Sequence, residues 1–382
     1  MTPTERRASG ALASIFALRM LGLFLVLPVF ALEARKYPGG DDPALIGIAM
    51  GIYGLTQGLL QIPFGVASDR LGRKRVIIFG LLVFALGSLM AGNADTLSGL
   101  LVGRALQGAG AVSAAVTALL ADLTRDNVRT KAMALVGASI GLMFALSLVL
   151  SPLIAAQIGL SGLFVLTAVL SLLGIAVVMW GVPAEPDVHK DGARGGLRQV
   201  LSSPALLRLN IGVFVLHAVQ LAMWVAIPAF LVQAGLGKDD HWQIYLPAVL
   251  GSFVVMGGVF PLERRGFLRA VFLSAIALIA LVQVALLWVS SGEPSIMCLA
   301  WLLFVFFCGF NVLEATQPSL VSRIAPASSR GAAMGVYNTL QSLGFFAGGV
   351  MGGQLVKNHG SQGLFLTCAA LMVLWLVVAW PM

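Results

Sequence analysis

The chain has 382 residues, 59% of them hydrophobic and only 10% charged. Soluble domains carry about 25% charged residues, so this composition excludes an ordinary soluble protein. The formal net charge of +8 would suggest nucleic acid in a soluble chain, but no basic patch interleaved with aromatics supports that partner here.

Taken in order, twelve apolar runs are long enough to cross a bilayer, which needs about 20 residues of helix. They are residues 11–32, 45–65, 76–93, 97–121, 131–157, 161–181, 205–234, 243–262, 267–290, 295–320, 331–356 and 361–380. They predict an all-α membrane protein with twelve transmembrane helices. Residues 1–10 are polar, and the run after them lacks a small-residue cleavage site, so it is expected to stay as the first helix. The connecting segments alternate between the two sides, starting inside. Of the 24 Lys and Arg residues, only Arg35, Lys36, Lys238 and Lys357 then fall outside, and only Arg19 and Arg104 lie deep within a span. That bias places both termini in the cytoplasm.

The chain divides into two halves of six spans, residues 1–181 and 205–382. A cytoplasmic linker over 182–204, rich in Pro and Gly, joins them, with a short surface helix expected around Leu197–Ser202. The halves resemble each other at an offset of about 200 residues. Phe16-Ala17-Leu18-Arg19 matches Phe214-Val215-Leu216-His217, and Pro28-x-Phe30 matches Pro228-x-Phe230. Arg129 to Met133 matches Arg330 to Met334, and Gly162-Leu163-Phe164 matches Gly363-Leu364-Phe365. An even number of spans per half gives both halves one orientation, so they are parallel repeats, two six-helix bundles facing a central cavity. Cys298, Cys308 and Cys368 fall inside spans at spacings that suggest neither a disulfide framework nor a metal site. No cofactor is expected.

Between the second and third spans lies a short loop of dense charge, Gly65-Val66-Ala67-Ser68-Asp69-Arg70-Leu71-Gly72-Arg73-Lys74-Arg75. Such charge cannot sit in hydrocarbon, so the loop lies at a membrane surface, and its Arg and Lys make that surface the cytoplasmic one. Gly65 offers no side chain where the second span abuts a neighbour, and Gly72 permits a tight turn. Asp69, Arg73 and Asp122 are expected to form one cluster that ties the second span to the fourth and eleventh. Lys74 joins Arg73 as a cation beside the inner end of the fourth span, where Asp122 sits, and Arg70 and Arg75 set topology. The pattern G-x-x-x-D-R-x-G-R-K resembles the loop 2–3 signature of the major facilitator superfamily. The resemblance implies the twelve-helix fold, alternating access, and a latch for the outward-facing state built from Gly65, Asp69, Arg70, Gly72, Arg73, Lys74 and Asp122.

The fourth span reads Arg104-Ala105-Leu106-Gln107-Gly108-Ala109-Gly110. This is similar to the R-x-x-Q-G-x-G motif of the proton-coupled antiporters in that superfamily, where the Arg position is linked to proton coupling. An arginine at this depth must face a polar cavity or partner. The drug-exporting members carry a G-P-x-x-G-G ending in the fifth span. Here that place reads Ser151-Pro152-Leu153-Ile154, which keeps only the proline. The counterpart of the loop signature in the second half, Glu263-Arg264-Arg265-Gly266, is also reduced.

Arg19 lies near the midplane of the first span and suits an anionic group or its counter-charge. Glu314 is the one carboxylate well inside a span, and an ionised carboxylate there is costly, so it suits a proton carrier. Asn311, Glu314 and Gln317 follow at steps of three on one helical face. His217, the repeat partner of Arg19, titrates near neutrality and can assist. Tyr53 and Gln57 form a polar stripe with Gln61 and are candidate cavity residues. Gln220, Asn338 and Gln341 are further candidates, and Met223 with Trp224 could line an apolar site, although core packing is the expectation for both.

Together these features predict a monomeric secondary transporter of the bacterial inner membrane. Its partners are a small-molecule substrate, protons and the lipid bilayer. Proton-coupled export is the expectation. A proton-independent facilitator of the same fold is the alternative, ahead of a non-transporting sensor or enzyme. The chain has no H-E-x-x-H, no phosphate-cradling loop and no nucleophile elbow.

Overall fold

The computed structural model describes residues 1–185, 197–326 and 329–381. The described residues are overwhelmingly helical and contain no strand. In chain order the α-helices are α1 (Pro3–Glu33), α2 (Pro43–Leu71), α3 (Arg73–Gly92), α4 (Leu97–Ala109), α5 (Ser113–Asp122) and α6 (Asp126–Ala176). They continue with α7 (Leu197–Ser202), α8 (Pro204–Gln233), α9 (Trp242–Leu262), α10 (Leu268–Val289), α11 (Ile296–Ile324) and α12 (Arg330–Ala379). Among the described residues, ten helical stretches are long and apolar enough to cross a membrane. The short linker helix forms where it is expected, at Leu197–Ser202. The linker residues from Pro186 to Gly196 lie outside the described residues.

Three departures from the predicted runs have local causes. Helix α1 starts at Pro3, ahead of the predicted apolar start at 11. Thr2 and Glu5 cap each other reciprocally, with Pro3 at the first helical position, and that pairing nucleates the extra turns. The fourth span is two helices, α4 and α5, separated at Gly110–Val112. Gly110 sits at φ −78°, ψ 52°, and a Cβ there would overlap the Gly80 carbonyl oxygen of α3. The close backbone approach diverts the chain where sequence alone reads as helix. Finally, α6 and α12 are each kinked at a glycine, Gly159 (φ 66°) and Gly360 (φ 65°). A positive φ of that size favours glycine. The two kinks stand between the fifth and sixth, and the eleventh and twelfth, predicted runs, at equivalent places in the two halves.

The chain folds as two compact units. One holds residues 1–39 and the chain from Ile52 up to the linker. The other holds residues 40–51 and the chain beyond the linker. Helix α2 thus contributes its first turns to the second unit and the rest to the first.

In the first unit α1 packs along α6, and α3 packs on α4 and α6. Its core includes Leu12, Ile15, Phe16, Ile77, Leu81, Val116 and Leu119. Phe79, Leu82 and Leu86 of α3 are exposed, an apolar outer face suited to acyl chains. In lipid such faces gain little by burial, so packing and hydrogen bonds decide which helices meet. The Thr167 hydroxyl donates to the Gly22 carbonyl at 2.9 Å, and that of Ser171 to Leu81 at 2.8 Å.

In the second unit α8 packs along α12, and α11 on α9 and α10. Gly348 of α12 lies so close to Ala218 that a Cβ would overlap its carbonyl oxygen. The opening turns of α2 pack on α12 in the same way. A Cβ on Gly47 would overlap Gly349 O, and one on Gly353 would overlap Pro43 O. Lys357 Nζ closes this contact by donating to Asp42 Oδ2 at 2.7 Å.

Candidate functional site

The first unit holds a buried polar centre around Arg19. Helix α1 carries the side chain inward, and it is 1% exposed. Arg19 Nη1 donates to Ser113 Oγ at 2.9 Å, and Nη2 to Tyr53 Oη at 2.8 Å and to the Gly110 carbonyl at 3.4 Å. All three acceptors are neutral. The guanidinium carbon lies 5.4 Å from the Phe84 ring centre, a cation–π contact. Arg19 Nε has no hydrogen-bond partner.

Arg104 also meets Tyr53, its guanidinium carbon 5.2 Å from that ring and 5.8 Å from Phe30. Its Nη1 donates to Gln107 Oε1 at 3.0 Å, and Gln107 Nε2 donates to Ser88 Oγ at 2.8 Å. The helix 4 motif thus aligns Arg104 and Gln107 on one face, one turn apart. Ser113 and Ser88 are the partners that sequence reasoning missed. Ser113 becomes available only because the fourth span breaks just before it.

The second unit holds a different centre. His217 Nδ1 lies 2.9 Å from the Val213 carbonyl, which can only accept, so that nitrogen carries a proton. His217 Nε2 is 2.8 Å from Gln341 Nε2 and 3.3 Å from Glu314 Oε2. Gln341 Nε2 also donates to Glu314 Oε1 at 3.2 Å. In the neutral ring, Nε2 accepts from Gln341. A further proton on Nε2 turns it into a donor facing Glu314. Phe310 and Phe345 pack edge-on against the imidazole, at 5.9 and 4.9 Å between ring centres. The Tyr337 hydroxyl is buried without a partner.

The loop between α2 and α3 forms a third cluster, in the first unit. Arg73 pairs with Asp69. Its Nε donates to Asp122 Oδ2 at 3.0 Å and its Nη1 to Ser68 Oγ at 2.7 Å. Gly72 takes φ 97°, a conformation suited to glycine. Glu185, past the end of the sixth span, caps α3 by accepting from the backbone N–H groups of Arg73 (2.9 Å) and Lys74 (2.6 Å). Lys74 Nζ donates to the Val182 carbonyl at 2.7 Å, while Arg70 and Arg75 are exposed. Nearby, Arg125 and Glu5 form a two-point ion pair at 2.7 and 3.1 Å. Hydrogen bonding to Glu5 holds the Arg125 guanidinium above its ordinary range.

Several expectations are corrected. Glu314 is only partly buried, its side chain 39% exposed while Oε2, the oxygen facing His217, is buried. Asn311 does not share its face, since it donates to Ser252 Oγ on α9 at 2.7 Å. Gln317 is buried with both amide atoms unpartnered, and so is Gln61. Gln57 makes no side-chain hydrogen bond among the described residues, so Tyr53 alone of that stripe joins a polar centre. Gly65 has room for a Cβ, whose nearest contact is Ala114 at 3.7 Å. Met223 and Trp224 pack in the core as expected, buried beside Gln220 around a void of about 10 Å³, space for at most a single water.

The comparisons agree with this architecture. A sequence profile described as Major Facilitator Superfamily matches residues 12–349 and 262–382. The inner membrane transport protein YajR of Escherichia coli (strain K12) is 44% identical over 99% of this chain and 84% of its own length. The quinolone resistance protein NorA of Staphylococcus aureus (strain MSSA476) is 26% identical over 91% of this chain and 89% of its own. The crystal structure of a D-xylose–proton symporter superposes with a TM-score of 0.80 at 14% identity, covering 97% of each chain.

Proposed function

The chain belongs to the Major Facilitator Superfamily, and on that premise we propose that it is a proton-coupled exporter working by alternating access. It is a multi-pass inner-membrane transporter rather than an enzyme. Splitting α6 and α12 at their glycine kinks gives twelve spans, and the charge bias puts both termini in the cytoplasm. The division is an N-terminal bundle over 1–181, a linker over 182–204 and a C-terminal bundle over 205–382. The protein works as a monomer.

One observation carries the coupling assignment. Glu314, the carboxylate inside a span, faces His217 Nε2 at 3.3 Å and Gln341 at 3.2 Å. His217 is fixed at Nδ1, so the next proton has one place on the ring, directly opposite Glu314. The pair can therefore hold or release one proton without a change of backbone. Arg104 and Arg19 supply fixed positive charge in the first unit, with Tyr53 in contact with both. Asp69, Arg73 and Asp122, set by Gly72 and backed by Lys74, act as the latch. A contact made in only one conformer sets the population of two states.

The likeness to a quinolone resistance protein makes a quinolone the first compound to test. Proteoliposomes with an imposed proton gradient are expected to move it against its concentration gradient, and a protonophore to stop it. Glu314→Gln is expected to abolish gradient-driven movement while leaving downhill exchange. Gradient-driven transport that survives Glu314→Gln would refute the assignment. Movement indifferent to the protonophore would favour a facilitator of the same fold.

A further inference from the structure

We propose that the Arg19 centre is a binding site for a carboxylate-bearing organic anion, which sets the substrate class of the transporter proposed above. The argument starts from charge. Arg19 is 1% exposed, and Ser113 Oγ, Tyr53 Oη and the Gly110 carbonyl, its three partners, are all neutral. A cation so far from water lacks a counter-charge, and inside a membrane that lack is costly unless a partner arrives. Two guanidinium donors are left over, Nε–H and the second N–H of Nη1, and Nε is buried without an acceptor. Nε and Nη2 form one edge of the guanidinium, the edge that binds carboxylate in a two-point fashion. The longest of the Arg19 bonds, 3.4 Å, runs from Nη2 to Gly110 O, so that contact is the weakest the guanidinium makes.

The chain supplies a second source of positive potential at the same point. Ser113 is the first residue of α5, a helix of 10 residues. Its N-cap, Val112, has no side chain that can accept from the first N–H groups. Those groups have no intrahelical partner and carry the positive end of the helix dipole. Half-helix N-termini inside transporters point at anionic groups of substrates for this reason. Ser113 and Tyr53 accept from Arg19 and each keep a hydroxyl proton to donate. One guanidinium, two hydroxyls and a helix N-terminus therefore converge without an acid among the partners of Arg19. The site is sealed in this conformer, and the break at Gly110–Val112 is the element whose movement admits the anion.

The test is thermal unfolding of the purified full chain in detergent, with sodium benzoate against benzamide at equal concentration and ionic strength. Benzamide keeps the ring and shape and removes the charge. Benzoate is expected to raise the wild-type Tm by about 2 °C or more at saturation, and benzamide to leave it unchanged. Arg19→Gln is expected to lose the benzoate response, and Ser113→Ala and Tyr53→Phe each to weaken it. Should Arg19→Gln fail to fold, the two hydroxyl variants decide the matter alone. No benzoate shift, equal shifts with benzamide, or a full shift in both hydroxyl variants would overturn the site. The assay needs no proton gradient. A benzoate response with gradient-independent transport would sink the coupling and spare the site, and the reverse result would do the opposite.

Discussion

Arg19 and His217 occupy equivalent places in the two halves, yet their surroundings differ. Arg19 has a fixed charge, neutral partners and almost no exposure. His217 has a titratable ring, and beside it lies a carboxylate that is partly open. The two halves of the repeat thus carry two chemistries at one position. The first unit holds a charge that no pH in the physiological range removes. The second holds a proton that can leave.

The sharpest way to break this difference is to make the two centres alike. His217→Arg places a permanent cation beside Glu314. Gradient-driven flux is expected to fall about a hundredfold, or about 2.7 kcal/mol, with downhill exchange retained. Undiminished driven flux would mean that the titratable ring is not needed.

Arg73→Ala comes next. It removes the common partner of Ser68, Asp69 and Asp122 and is expected to cost about 1–3 kcal/mol. Thermal unfolding and transport rate report it together, and Asp122→Asn should reproduce a smaller part of both. Gly110→Ala tests the first unit alone. Its Cβ would meet the Gly80 carbonyl and Phe84, so a loss of about 1–2 kcal/mol is expected. It should also disturb Arg104, through Tyr53, more than it disturbs Glu314.

The smallest effect belongs to Asp42 and Lys357. The Lys357 ammonium, helped by the Ala44 N–H, holds the Asp42 carboxyl below its ordinary range. A lowered carboxyl contributes above its unfolded value of about 4 and loses that contribution as pH falls through the folded one. Asp42→Asn should therefore shift the Tm by the same slight amount anywhere between about pH 5 and 8. The difference should vanish in acid, as a pH series of unfolding scans would show.

The fold was largely legible because lipid imposes a simple rule on sequence. Apolar length and the sidedness of Arg and Lys mark the spans, and the repeated Phe16–Arg19 and Phe214–His217 segments mark the halves. The loop charges at Asp69, Arg73 and Asp122 were legible too, since ions at a span's end have few places to go. The rest depends on which face meets which neighbour. Ala109 to Ser113 carries no proline, and its break comes from the approach of Gly110 to Gly80. Asn311 lies one turn from Glu314 in sequence but turns to Ser252, because α9 packs on that side of α11. Glu185 sits in a loop with no pattern, and only the tertiary path brings it to the start of α3.

The central claim is that Glu314 exchanges the coupling proton, and proton movement triggered by substrate in proteoliposomes, read with a trapped pH-sensitive dye, tests it most directly. The account predicts a substrate-triggered proton flux in the wild type that disappears in Glu314→Gln while downhill substrate exchange continues. A proton flux that is unchanged in Glu314→Gln, or none in the wild type, would contradict it.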